Sequence, residues 1–335
     1  MVLKKLGKQT LQFNSIPSIK SWASVVGPME GQGPLADYFD VIWDNTLGSE
    51  KTWEKAEQKL MQYSMELALE KAGLLPTDLD FYLAGDLLNQ IITANFTAGS
   101  LGVPFFGLFG ACSTLAEGLA LAGVLIDGGY AAKVGVSASS HHDTAERQFR
   151  FPTELGVQRP MTAQWTVTGC GSFVVENKSH GFKITQATIG KVVDMGTMNA
   201  NDMGTAMAPA AFDTIQTHLQ DTGRKIDDYD LIITGDLGLL GNNILKELLK
   251  KQGMDTGNVS DCGILIYSPE QDTHSGGSGC GCSAVVLAGY LLEQMRKGVY
   301  KRIFLVGTGA LLSPTSSFQG NSIPCIAHGV VLEYS

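Results

Sequence analysis

Cys112 stands where a glycine-punctuated apolar segment, Phe106-Gly107-Leu108-Phe109-Gly110-Ala111, gives way to Ser113-Thr114 and a helical pattern. A thiol in the first turn of a helix faces unpaired N–H groups and the positive end of the helix dipole, which favour the thiolate and hence a nucleophile. The same position suits a small inert core residue at a tight turn, and the segment alone leaves both readings open. Near the chain end, Cys325 with His328 three residues on offers an acid and a base for acyl transfer, or two packed residues at a strand end. His141-His142-Asp143 follows a predicted strand on the side where Cys112 should lie. Adjacent histidines point in different directions on an extended chain, so at most one would face a pocket, and no metal site is expected. Arg147, Arg150 and Arg159 carry guanidinium forks that fit carboxylates, with Glu146 and Glu154 as competing internal partners. Cys280-Gly281-Cys282 has no second pair at zinc-site spacing, and a glycine turn explains it without metal.

The elements that must hold these residues recur. Asp80-Phe81-Tyr82-Leu83-Ala84-Gly85-Asp86-Leu87 matches Asp230-Leu231-Ile232-Ile233-Thr234-Gly235-Asp236-Leu237 at an offset of 150, and Cys112-Ser113 and Tyr130 match Cys282-Ser283 and Tyr300 at 170. A tandem duplication follows, with loops from equivalent strand ends converging on one cleft and with Cys112 and Cys282 opening equivalent helices. The periodicity predicts helices over 53–72, 90–100, 203–220, 241–251 and 283–296, and a helix opening at Cys112. Strands are predicted over 80–84, 103–109, 132–138, 171–176, 182–193, 230–235, 262–268, 302–307 and 329–334. This alternation implies mixed, mostly parallel sheets covered by helices, with 139–169 as a long loop that has no counterpart.

Composition bounds the function. With 335 residues, 44% hydrophobic and 17% charged, the chain can bury a large core. Its net charge of -9 argues against a sequence-independent grip on nucleic acid. No apolar run approaches the roughly 18 residues that span a bilayer, and no signal-peptide core follows the basic start, so an intracellular chain with reduced cysteines is expected.

Gly110-Ala111-Cys112-Ser113-Thr114, Thr168-Gly169-Cys170-Gly171-Ser172-Phe173-Val174-Val175 and Cys325-Ile326-Ala327-His328-Gly329-Val330-Val331-Leu332-Glu333 resemble landmarks of the thiolase and ketoacyl-synthase superfamily. The resemblance implies an α/β thiolase-like fold with duplicated βαβαβαββ halves, 1–178 and 179–335, stacked as five α-β-α-β-α layers, with Cys112 at the acyl-accepting position. Within the superfamily the chain is more similar to the stage V sporulation protein AD family. Leu83-Ala84-Gly85-Asp86-Leu87-Leu88-Asn89-Gln90, Thr144-Ala145-Glu146-Arg147-Gln148-Phe149-Arg150, Met207-Ala208-Pro209-Ala210-Ala211, Gly276-Gly277-Ser278-Gly279-Cys280 and Ala310-Leu311-Leu312-Ser313-Pro314 carry that similarity.

The departures matter equally. Acyl-primer ketoacyl synthases place a histidine after the strand matching 230–235 and an asparagine before the helix near 283. Gly235-Asp236 and Gly279-Cys280-Gly281-Cys282 stand there instead. An ionised Asp236 only accepts hydrogen bonds and would repel a developing oxyanion, so no catalytic residue is expected. Were the chain an enzyme, Cys112, Cys325 and His328 would carry acyl transfer, although Ala327-His328 interrupts the glycine-rich oxyanion turn of thiolases.

What the family resemblance implies is a role in spore formation and germination. The chain would bind dipicolinic acid, as such or as its calcium chelate, on its way into and out of the spore, with no cofactor. It would be a homodimer joined through a first-half edge strand, attached peripherally at the spore inner membrane beside the membrane-embedded stage V sporulation A proteins. The ligand is expected beside Cys112, with contacts from His141, His142, Asp143, Arg147, Arg150 and Arg159, and with Asp236, Ser278 and Gly279 across the cleft. The rival readings are an acyltransferase using Cys112 on a thioester, and a structural subunit with a vestigial cleft.

Overall fold

Thr52 accepts a hydrogen bond from the Lys55 amide at 3.4 Å and starts the helix Trp53–Ala72, which ends at Gly73 in the left-handed region (φ 66°). The computed structural model describes residues 4–149, 159–178 and 180–335. The buried stripe of this helix, including Leu60, Met61 and Met65, packs on the strands Ser18–Val26 and Gly169–Glu176.

Each half builds the same run of five strands. In the first, Phe81–Gly85 pairs in parallel with Phe105–Gly107 and with Lys133–Ser140. Gly169–Glu176 then joins Lys133–Ser140 antiparallel and is flanked by Ser18–Val26. In the second, Leu231–Thr234 lies parallel to Val259–Asp261 and Arg302–Ala310, followed antiparallel by Cys325–Tyr334 and Phe182–Thr188. The runs join where Phe182 and Lys183 face Ile19 and Ser18, giving one continuous sheet of 13 strands, short strands included. The helix Thr114–Asp127 packs against strands of both halves, and the helical segment Cys280–Arg296 lies beside it. Trp53–Ala72 covers one outer face; Met203–Thr222 and Gly238–Lys251 cover the other. One apolar cluster joins residues of both halves at the centre and two lie beneath the outer helices, which is the expected five-layer order.

The duplication extends to small devices, and these correct its register. Asp80 Oδ2 accepts the amides of Ala132 and Lys133, and Asp230 Oδ2 accepts those of Lys301 and Arg302. Asp80 and Asp230 are thus 150 apart as expected, but Lys133 and Arg302 are 169 apart rather than 170. A π-helical turn over Leu287–Leu291 adds one residue to the second-half helix. Ahead of that turn the match to Cys112 is therefore Cys280, not Cys282.

Four other expectations change. The stretch predicted as strand 262–268 is a short helix, Cys262–Ile266, following the strand Val259–Asp261; a buried apolar run fits either form. The segment 139–169 is not all loop, since His142–Phe149 is helical. The strand predicted over 182–193 ends at Thr188 because Gly190 passes so close to the Ala327 carbonyl that a Cβ would lie 1.8 Å from it. The predicted strand 103–109 shortens to Phe105–Gly107 and lies at the sheet edge, leaving Phe106 and Phe109 49% and 62% exposed.

Candidate functional site

Between the halves lies a cavity of about 310 Å³ at the strand ends. Leu88, Ile91, Phe109, Phe149 and Leu311 give it apolar walls, and Cys112, Gln164, Thr166 and Ser278 add polar groups. Backbone strain concentrates here. Of the six non-glycine residues with positive φ among the described residues, Gln90 (59°), Ile91 (48°) and Ala111 (50°) line this cavity. Such conformations persist only where surrounding bonds overdetermine them, and they cluster at functional sites.

The bonds that hold the strain are explicit. Asp86 accepts the amides of Leu88 and Ala94, each at 2.8 Å, and Gln148 takes the Asn89 amide while donating to the Leu87 carbonyl. At the other turn, the Ala111 carbonyl accepts the Thr114 hydroxyl at 2.6 Å and the Cys280 thiol at 2.9 Å. Cys112 follows in the turn Ala111–Ser113, which runs straight into the helix Thr114–Asp127.

Asp236 explains the state of Cys112. It is buried and accepts the Ser278 hydroxyl at 3.0 Å, the Gly279 amide at 2.9 Å and the Thr308 hydroxyl at 2.8 Å. Burial raises its pKa, and the Cys112 thiol lies within hydrogen-bonding reach. Contact with Cys280, burial and the Asp236 carboxyl together push Cys112 well above the ordinary thiol range. Of the two readings the helix terminus left open, the thiolate is the disfavoured one: two unfavourable neighbours and desolvation outweigh a dipole worth about 0.3–1 kcal/mol at exposed sites. Gly279 is required where it stands, with φ 104° and a would-be Cβ 2.6 Å from Ser140 Oγ.

Among the described residues, the other expected ones do not line the cavity. His141 is buried, with Nε2 bonded to the Thr46 carbonyl at 2.7 Å, so the proton sits on Nε2 and Nδ1 accepts the Asp143 amide. Burial lowers its pKa and keeps it neutral. The ring of His142 stacks on Trp165 with centroids 3.7 Å apart. Arg147 pairs with Glu54 and lies over the Trp53 ring, while Arg159 donates to the Asp272 carbonyl at 2.8 Å and lies over Trp165. Asp143 is half-buried beside His141. Arg150 and Glu154 lie outside the described residues. Cys325 and His328, three apart on one strand, point to opposite faces. Burial pushes Cys325 up to about 12 and His328 down to about 4, and His328 Nδ1 accepts the Gly190 amide. The acyl-transfer set of Cys112, Cys325 and His328 is thus not assembled.

Residues that sequence reasoning missed complete the site. Asp86 and Glu146 bring carboxylates to the cavity, and among the described residues no Lys or Arg lines it. Behind Asp86, Glu57 is fully buried and accepts the hydroxyls of Ser139 and Thr144; burial, then the Asp86 charge, raise it to about 8. Asp86 itself rises to about 7 through burial. The signal for Asp86 was present in the repeated Gly-Asp-Leu strings; Gln164, which donates to the carbonyls of Asp236 and Gly277, had none.

Comparison with known proteins agrees with this geometry. The family model described as Stage V sporulation protein AD matches residues 7–333. Stage V sporulation protein AD of Bacillus subtilis (strain 168) is 50% identical over 332 residues, covering 99% of this chain and 98% of that protein. Among solved structures, 3-oxoacyl-[acyl-carrier-protein] synthase III from Aquifex aeolicus VF5 aligns with TM-score 0.61 at 17% identity, covering 95% of this chain and 100% of the other. Cerulenin-bound OleA of Xanthomonas campestris aligns with TM-score 0.62 at 14% identity, covering 96% and 98%. At these identities the two structures establish the thiolase-like fold.

Proposed function

Because this chain belongs to the stage V sporulation protein AD family, whose name places it at stage V of sporulation, we propose that it is a non-catalytic carrier of dipicolinic acid. The observation that carries this reading is a strained, braced cavity on a condensing-enzyme fold whose cysteine is kept a thiol by Cys280, burial and Asp236. The apolar walls suit a planar pyridine ring, and the side-chain amides of Asn89, Gln90 and Asn201 with the hydroxyl of Thr166 suit its carboxylates.

The calcium chelate is the form we favour. An ionised Asp86 would repel a free dianion, whereas calcium bound to the ligand cancels its charge. Delivery into the spore and release at germination would involve membrane-embedded stage V sporulation A proteins at the inner membrane. No helix among the described residues is long and apolar enough to cross a membrane. The exposed edge strand Phe105–Gly107 suits pairing with a second copy, and Phe109, beside it, would carry that interface to the cavity mouth.

Isothermal titration with dipicolinate, with and without calcium, tests the reading. Binding is expected to survive Cys112→Ala nearly unchanged and to survive Arg147→Ala, since that guanidinium is committed to Glu54. Absence of heat in both titrations, or an acyl adduct on Cys112 that turns over with acyl-thioesters, would replace it with the structural or the acyltransferase reading.

A further inference from the structure

Cys280 is the counterpart of Cys112 in the duplicated half, and the two meet where the starts of their helices converge. Cys280 Sγ reaches the carbonyl of Ala111, the residue before Cys112, at 2.9 Å. Each thiol shifts the other's pKa, so the two side chains are neighbours. Cys112 lines the cavity, so a small polar oxidant has a path to it, while Cys280 is sealed behind it. Cys170, Cys262, Cys282 and Cys325 are also buried and none lines the cavity.

We propose that Cys112 and Cys280 form a dithiol that a peroxide converts to an internal disulfide at the cavity wall. The thiolate of Cys112 attacks the peroxide, the O–O bond breaks, and the departing hydroxide takes up the proton lost from the thiol. This leaves a sulfenic acid on Cys112 and one water. The thiolate of Cys280 then attacks that sulfur, the S–O bond breaks, and hydroxide leaves with the Cys280 proton as a second water. Two thiols are oxidised to one disulfide while one peroxide is reduced to two waters. The small thiolate fraction at Cys112 makes the first step slow. The contact with Cys280 decides its product. This inference does not depend on the ligand reading, because it rests on the two cysteines and the Ala111 carbonyl alone.

The test is exposure of the reduced full chain to hydrogen peroxide, blocking of remaining thiols with N-ethylmaleimide, and peptide mapping. The expected product is a Cys112–Cys280 linked peptide, with a loss of two hydrogen masses from the intact chain that dithiothreitol reverses. In Cys280→Ala, the expected product is instead a Cys112 sulfenic acid captured by dimedone. If that variant does not fold, the map of the unaltered chain decides alone. Oxygen added to Cys112 without linkage in the unaltered chain, linkage among the other four cysteines, or six unreacted thiols overturns the proposal.

Discussion

Asp86 and Asp236 close equivalent strands of the two halves, in Ala84-Gly85-Asp86-Leu87 and Thr234-Gly235-Asp236-Leu237, and both are buried with raised pKa values. Their partners differ. Asp86 turns to the amides of Leu88 and Ala94 and shapes its own strained loop. Asp236 gathers two hydroxyls and the Gly279 amide, and reaches across the halves to the Cys112 thiol. One copy of a duplicated carboxyl became a loop organiser, and the other joins Cys280 and burial in keeping the neighbouring thiol protonated. The cavity therefore owes its shape to one half and its chemical silence to the other.

The sharpest way to break that comparison is to remove each carboxyl. Asp236→Ala strands three buried donors and should cost about 4 kcal/mol in urea unfolding, since each unsatisfied buried group costs about 1–3 kcal/mol. Asp86→Ala strands the Leu88 and Ala94 amides and should cost about 2–3 kcal/mol. Asp236→Asn should also speed alkylation of Cys112 by iodoacetamide, because the charge opposing the thiolate is gone, and Asp86→Asn should not. Equal alkylation in the two variants would end the division of labour.

Acidity sharpens the same contrast on a smaller scale. Burial raises Glu30, Asp86 and Asp261 to about 7 and Glu57 to about 8 in the folded chain. Between their unfolded and folded values the native state binds more protons than the unfolded state, so stability falls as pH rises through that window. His218, lowered to about 3, and His328, lowered to about 4, act in the opposite sense, but only below the unfolded histidine value of about 6.5. From pH 6.5 to 8 the histidine contribution fades and the carboxyls dominate, each contributing up to about 1.4 kcal/mol per pH unit. Allowing for coupling between Glu57 and Asp86, a total loss on the order of 2 kcal/mol is expected in urea titrations. A flat profile would mean that these carboxyls are solvated or paired.

What the sequence disclosed follows physical lines. The duplication, the helix opening after Cys112, the edge strand around Phe106 and the five layers were legible because they rest on repeated strings, periodicity and landmark motifs. The pairing of Cys112 with Cys280 was not, since a single π-turn residue slides the register without leaving a mark in the pattern. The helix His142–Phe149 was hidden by its polarity, and the committed states of Arg147 and Arg159 depend on Trp53, Glu54, Trp165 and the Asp272 carbonyl, all distant in sequence or unremarkable in type. Asp236 stood out in the sequence as a carboxyl where the enzymes of the superfamily carry a histidine. Its approach to the Cys112 thiol required the halves to be seen together.

The two turns that meet at the sulfurs offer the smallest and most local comparison. The first half enters its helix through Ala111 at φ 50°, and the second through Gly279 at φ 104°. A Cβ at Gly279 would press on Ser140 Oγ at 2.6 Å and force the backbone from a region that L-residues rarely adopt. Gly279→Ala should therefore cost about 1–3 kcal/mol, the usual worth of such strain. Ala111→Gly removes strain of the same kind but adds conformational freedom to the unfolded chain, worth about 0.4–1 kcal/mol, so the net gain should be only a few tenths of a kcal/mol. If the strain at Ala111 helps to aim Cys112 at Cys280 and Asp236, the variant should be slightly more stable yet alkylate faster at Cys112, as the thiol escapes both partners. A variant unchanged in both respects would mean that the Thr114 and Cys280 bonds to the Ala111 carbonyl hold the turn without help from the side chain.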